Sequence, residues 1–508
     1  MNKKQFIATA LGIALAAVVP VYSAGKQDSS KGKADAADPR GGELRFGLTT
    51  EPATLDPLSP SNTADGRSIL FNVFEGLVKP APDGSLQPAV AESYTLEQGG
   101  LVYNFKLRPA IKFHDGSEVT PEDVEFTLNT AINAGFNGFN RIGTVAITPE
   151  RGIAVTLKAP DVEFLPYLTI GVVPRNNPNR EQNPIGTGPF SIASYDTQRS
   201  LVLVKNPHYR QPGLPHLDKV TYVFLADSDA MLLALQGGSI DSAGITGSLV
   251  EQLDPNRFDI LPYPSNSVQL LALNNKVTPL DNVQVRQAIS YGVDIGQIID
   301  TAFYGRGEPS GSPLIPGLSK YYNTSLKQPY PTDIQRAKAL LAEAGYANGF
   351  PLVITVPSNY TMHVDTAQVL VNQLGKIGIT ATIKLVDWAT WLSEVYRGRR
   401  YEATIISLDA STISPKSFLE RYQSSAGSNF LNFNSPRYDE VYSRILTEVQ
   451  ENSRVALYKE AQQIISEEAA GVYIQDIWQF RVFPKGRFSG IVHYPLYVVD
   501  FSTVYKIQ

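Results

Sequence analysis

The distribution of apolar and polar positions divides the chain into two halves of different style. Up to about residue 265 short alternating stretches dominate: residues 43–48, 101–107, 153–157, 190–195, 200–205 and 218–224 each read as strands, because side chains along a strand alternate faces. Residues 51–66, rich in Pro, Ser, Asn and Asp, read as loop. A helix over 67–77 is predicted from the stripe Ile69, Leu70, Val73, Phe74 and Leu77. Another starts at Thr120-Pro121-Glu122-Asp123, which supplies an N-cap, a proline at N1 and acids in the first turn. A short helix over 228–235 ends at Gly237-Gly238.

Beyond residue 265 helix-period segments interleave with strands. Residues 268–273 form a strand and 279–299 contain an amphipathic helix. Residues 332–345 form a helix with Thr332 and Gln335 as a capping box and Gly345 after its end. Strand 352–356, helix 363–377 and strand 380–386 make a βαβ unit; residues 391–397 are helical. Two helices follow at 436–448 and 453–470, and the tail returns to strands. The pattern is α/β with mixed sheets in at least two lobes, which leaves a cleft between them. The junction near residue 270 and the strand-rich tail after 475 suggest that the tail returns to the first lobe.

The most informative stretch is 401–411, YEATIISLDAS. Its middle is unbroken apolar and β-branched, the composition of a strand buried on both faces. It then turns polar at once: Ser407, Asp409 and Ser411 share one face, opposite Leu408 and Ala410. A buried strand that ends this way delivers polar groups to an edge or a cleft.

Composition narrows the function. Length (508 residues) fits two or three subdomains, and 43% hydrophobic content suffices for packed cores. A net charge of −5 gives no basic excess for nucleic acid. Lys3 and Lys4, the apolar run 6–19 and the small residues before Gly25 form a signal peptide over 1–24, so export is expected. Residues 25–42 read as a disordered lead-in. Cysteine is absent, which removes disulfides, thiol catalysis and a lipid-anchoring cysteine. The five histidines show no HxH, HxxH or HExxH spacing, and neither GxSxG nor a strand-to-helix GxGxxG occurs. Gly186-Thr187-Gly188-Pro189 is no phosphate loop, since Lys-Ser/Thr does not follow and Pro189 lacks a donor. No nucleophile–base set is visible. No catalytic residue, metal ligand or cofactor site is expected.

Seven blocks, in order, carry a resemblance: VFEGLVKPAPDGSLQPAVAESY from Val73, NFKLRPAIKFHDGSEVTPEDV from Asn104, NPIGTGPF from Asn183, VKNPHYR from Val204, LALNNKVTPLDNVQVRQAISYGVD from Leu271, IGITATIKLVDWATWL from Ile377 and FNSPRYDEV from Phe433. The chain thereby resembles the peptide/nickel family of extracellular solute-binding proteins of ABC transporters, from about residue 43 to its end. The resemblance implies a two-lobed, hinge-closing α/β receptor of the periplasmic-binding-protein type, its first lobe enlarged by an extra subdomain. Expected boundaries are 43–269 for lobe I, with an insertion at about 86–182, 270–480 for lobe II, and 481–508 returning to lobe I. It implies no cofactor and no catalysis, permease subunits in the inner membrane as partners, a monomer, and a periplasmic location.

Ligand contacts in peptide-binding members resemble three places here: Ser61, Asn62 and Thr63; His363; and the polar end of 401–411, with Ser407, Leu408, Asp409 and Ser411. Peptide binders carry Gly-Trp and then an Asp that pairs with the peptide ammonium; here Ser407-Leu408 stand for the former and Ser411 for the latter. Asp409, two residues earlier on the same face, either takes over that contact or the ligand is no free peptide amine. The readings are thus a peptide receptor, the same receptor for a sugar, opine or other small polar solute, and, remotely, a secreted peptide-processing enzyme. His114, Glu75, Trp388 and Trp391 are read as scaffold.

Overall fold

The computed structural model describes residues 41–409, 414–496 and 498–507. The segment read as a signal peptide and Ser411 fall outside them. In chain order, the first half contributes β1 (Glu43–Leu48), the short hairpin β2 (Val78–Pro80) and β3 (Leu86–Pro88), and an antiparallel sheet of β4 (Ala91–Glu97), β5 (Val102–Leu107), β6 (Ile142–Thr148) and β7 (Gly152–Leu157). Then come β8 (Phe190–Asp196), β9 (Ser200–Lys205), β10 (Lys219–Phe224), β11 (Ser242–Ile245) and β12 (Phe258–Pro264). The second half adds β13 (Ser267–Leu273), β14 (Gly307–Pro309), β15 (Pro351–Pro357), β16 (Thr380–Val386), β17 (Ala403–Asp409) and β18 (Gly471–Pro484).

Twelve strands form one mixed sheet, with the main path β16-β15-β17-β13-β18-β11-β1-β10-β9-β8. Its joint is β18. Residues Gly471 to Gln475 pair antiparallel with β13, whereas Trp478 to Pro484 pair with β12, and Phe480 to Val482 also with β11. One strand therefore belongs to both halves of the molecule. Across from its midpoint, β12 gives way to β13 at Ser265 and Asn266, the latter at φ +62°.

Alternation sorts the core of the second half. Val268, Leu270, Ile406 and Leu408 face a cluster with Phe418, Tyr438 and Tyr458. Leu271, Leu273, Ala403 and Ile405 face the opposite cluster, with Leu370 and Leu374 of helix Thr361–Gly375. Each fully buried leucine or isoleucine contributes about 1.5–3 kcal/mol, so a one-residue slip of β17 would be strongly unfavourable.

Three helices differ from the sequence expectation. The first runs Ala64–Leu70, because Thr63 caps it by accepting from the Gly66 amide at 3.2 Å. It stops before Gly76, where a Cβ would sit 2.6 Å from the Leu168 carbonyl oxygen. The 279–299 segment splits into Val283–Gly292 and Ile295–Phe303, since Asp294 caps the second piece through the Gln297 amide (2.9 Å). Helix Ile334–Glu343 is capped by Asp333 rather than Thr332, whose hydroxyl donates to the Val293 carbonyl instead.

The recognisable motifs of the first half turn out to bind one another. The Gly186 amide donates to His114 Nδ1 (3.1 Å), and His114 Nε2 lies 3.2 Å from the Gly188 carbonyl oxygen. Burial pushes the imidazole down to about 4, so the ring is neutral. Gly188 donates to the Val73 carbonyl at 2.9 Å, and a Cβ there would meet Asn72 O at 2.6 Å. Gly188→Ala is expected to cost about 1–3 kcal/mol by overpacking backbone that cannot retreat; an unchanged melting temperature would contradict this close packing. Glu75, buried, is clamped by Arg210 (2.9 and 3.0 Å) and the Tyr209 hydroxyl (3.2 Å).

The β4–β7 sheet also contacts the second half through buried charge. Lys416 Nζ lies 2.7 Å and Arg141 Nη1 2.8 Å from Asp161 Oδ2. Arg454 Nε lies 2.8 Å from Glu163 Oε1, while the Ser414 hydroxyl donates to Glu163 Oε2 at 3.0 Å.

Candidate functional site

Strands β15 and β16 are parallel, as are β15 and β17, so all three end on one edge of the sheet. Ligands of open α/β sheets gather at such carboxyl ends. β17 overshoots its neighbour: Ile354 pairs with Ala403, and β15 ends at Pro357, three residues later, whereas β17 continues six residues beyond Ala403 to Asp409. Among the described residues the strand paired with the overhang is β13, with Ser267 opposite Asp409 and Gln269 opposite Ser407. Asp409 is exposed, and its carboxylate has no cation within 4 Å among the described residues. Its backbone carbonyl accepts from Arg421 Nη2 at 3.1 Å.

The expected contacts are not all brought together. Ser407 shares the face of Asp409, and its buried hydroxyl lacks a hydrogen-bond partner among the described residues. Leu408 points to the opposite side and packs in the core. His363 is 2% exposed, close to Gln269 Nε2 (3.1 Å), and burial pushes its imidazole down to about 4. It is a neutral support, and Gln269 ties it to Thr366 and Gln475 (3.0 and 2.9 Å). Ser61, Asn62 and Thr63 lead into the first helix: Thr63 caps it, and Asn62 Nδ2 donates to the Asp56 carbonyl at 3.3 Å.

Aromatic groups line the same edge. Tyr360, after β15, meets Trp388, after β16, edge to face at 5.5 Å. Trp388 stacks flat on Trp391 (5.1 Å, 4°), which is buried and donates to Thr404 Oγ1 at 2.9 Å. Trp388 itself is 37% exposed, so part of the pair reaches the surface.

At the joint stands Asp476. The Ser265 amide and hydroxyl donate to its Oδ1 (2.9 and 2.8 Å), while Oδ2 is buried and has no hydrogen-bond partner among the described residues. Burial pushes this carboxyl up to about 7, with the Ser265 bonds working against it. Two cavities flank Gln479 of β18. The larger, about 750 Å³, lies among Thr246, Thr301, Arg306, Thr361 and Trp478. The smaller, about 110 Å³, is walled by Thr49, Ser68, Tyr263, Arg481 and His493. Arg481 is only 6% exposed, yet its guanidinium has no carboxylate within 4 Å and no hydrogen bond among the described residues. It is held between rings, 4.9 Å from the centroid of Phe46 and 5.0 Å from that of Tyr263. Tyr263 stacks in turn on His493 (5.0 Å, 5°), whose imidazole is pushed down to about 4 by burial and by Arg481.

Neither Asp476 nor Arg481 was anticipated. The available signal was a lone Asp and a lone Arg inside the apolar run 472–483. Charges in a central strand need a reason. Among the described residues no group of three or more His, Cys, Asp or Glu is placed to hold a metal, and no helix is long and apolar enough to cross a membrane.

Comparison with known proteins agrees with this architecture. The Glutathione-binding protein GsiB of Escherichia coli (strain K12) is 28% identical over 442 residues, covering 82% of this chain and 85% of the relative. The structure of the PBP AgaA in complex with agropinic acid, from A. tumefaciens R10, is 28% identical at a TM-score of 0.69, covering 92% and 99%. The unliganded open form of the periplasmic murein tripeptide binding protein MppA shares the fold at a TM-score of 0.81 and 22% identity, covering 92% and 97%. The model of the bacterial extracellular solute-binding proteins, family 5, matches residues 85–430. The chain belongs to that family of ABC-importer receptors, and is a binding protein rather than an enzyme.

Proposed function

We propose that this receptor captures peptides with a free amino terminus in the cleft between its lobes and delivers them to a membrane permease, working in the periplasm after export. The observation that carries the reading is Asp409: an exposed carboxylate at the projecting end of a buried strand, with no cation within 4 Å of its carboxylate oxygens among the described residues, Arg421 being bound to its backbone carbonyl instead. A rigid strand presents it, so little ordering entropy is lost when an ammonium docks. The stacked Trp388 offers an apolar face two strands away for a side chain. Glutathione, the ligand named for GsiB, is itself a peptide with a free amine. The switch of β18 from β13 to β12 partners supports a lobe boundary near residue 270; 481–508 as the return to the first lobe and 86–182 as the insertion are part of the proposal.

A charge-assisted hydrogen bond contributes about 1.5–3 kcal/mol, one to two decades in affinity. Asp409→Ala is therefore expected to weaken peptide binding at least tenfold in calorimetric titration, and unchanged affinity overturns the assignment. A second reading, an opine or other small polar solute, is favoured by the likeness to AgaA. Native mass spectrometry of gently purified protein separates the two: a ladder of peptide masses supports the first, a single small polar mass the second.

A further inference from the structure

We propose that Arg481 is a ligand-anchoring residue: on the first-lobe wall of the cleft it receives a carboxylate of the captured solute, opposite in sign and in lobe to Asp409. The inference rests on the receptor reading above and deepens it by specifying a second charged group on the ligand.

A guanidinium removed from water normally keeps a carboxylate or several carbonyls at its five N–H donors. Arg481 has neither among the described residues, although it is nine-tenths buried and borders the 110 Å³ cavity. The rings of Phe46 and Tyr263 hold its position and satisfy the charge in part through their π faces. They do nothing for the N–H edge. Of the other groups on the cavity, His493 is held uncharged by burial and by Arg481, and Asp65 accepts from the Thr50 hydroxyl. The donors left over form a planar fork, the geometry that matches two oxygens of a carboxylate. Asn266, whose Oδ1 is buried without a partner, sits beside the same cavity at the joint between the lobes.

Placement adds a consequence. Arg481 lies on the half of β18 that pairs with β11 and β12, whereas Asp409 extends from β17 beside β13. A solute bearing both an ammonium and a carboxylate can engage both walls, whereas one bearing a single charge engages one. Recognition of a zwitterion is then built into the two lobes separately.

The test uses the full mature protein and Arg481→Gln and Arg481→Lys, titrated by calorimetry at neutral pH with trialanine, trialanine amide and succinate; the melting temperature of each empty variant reports folding. Wild type is expected to bind trialanine at least tenfold tighter than its amide, with the preference erased in Arg481→Gln. Arg481→Lys, which keeps the charge without the fork, retains part of it and stands in if the Gln variant does not fold. Equal binding of acid and amide by wild type, or a preference that survives in the variant, overturns the anchor and leaves the peptide reading standing. If neither peptide binds but succinate does, and at least tenfold more weakly in Arg481→Gln, the peptide reading falls and the anchor stands. If neither peptide binds and succinate binds wild type and variant alike or not at all, both fall.

Discussion

Arg454→Ala is expected to destabilise the protein by about 3–5 kcal/mol, the penalty for stranding one member of a buried ion pair. Its partner Glu163 is buried; burial raises its carboxyl above the usual range, and Arg454 is the foremost group opposing that rise. With the guanidinium gone, Glu163 keeps the Ser414 bond and Lys416 as a more distant charge. The folded variant will then bind a proton that its unfolded chain releases. Stability falls with rising pH wherever the folded state holds more protons, so the deficit should be larger at pH 8 than at pH 5. Denaturant titrations at both values check it. A loss below about 1 kcal/mol, far under the buried-pair range, or one equal at the two pH values, would show that the pair is solvated. Arg454→Ala with Glu163→Gln should recover much of the loss, because no buried charge is left.

The second large effect concerns Asp476. Its carboxyl stands at about 7 in the folded protein, against about 3.9 in an unfolded chain. Between those values the folded state keeps a proton that the unfolded state has lost. This contribution is fully present below the unfolded value and declines by about 1.4 kcal/mol per pH unit as pH climbs towards 7. Asp476→Asn keeps an oxygen for the Ser265 donors and places an uncharged amide where Oδ2 has no partner. Melting temperatures measured from pH 4.5 to 8.5 should show the variant less pH-dependent than wild type and more stable above pH 7. Parallel curves would mean that water reaches the carboxylate.

The α/β class, most strands and the two-lobed plan were legible because alternation and helix period are local signals. The missed cap shows where that legibility stops. Thr332-x-x-Gln335 matches a capping box by spacing, but the Thr332 hydroxyl donates to the Val293 carbonyl, thirty-nine positions away in sequence and brought alongside by the tertiary fold. The site divides similarly. That 401–411 ends in a polar face was visible from period two, and Ser407 and Asp409 do share it. What decides whether His363 touches solvent is the packing of Gln269 and Thr366 around it. No local pattern encodes that. Arg481 and Asp476 were hidden for the same reason: their meaning depends on which partners are missing, and a sequence lists residues without neighbours.

The double membership of β18 also bears on how the chain acquires its structure. No stretch ending before Gly471 contains either half of the main sheet complete, since β11, β12 and β13 each lack a neighbour until β18 is added. A chain emerging from its N-terminus thus carries more than four hundred residues with open strand edges, which invite mispairing. The one strand β18 closes both halves of the sheet together, so the two halves depend on the same late step of synthesis.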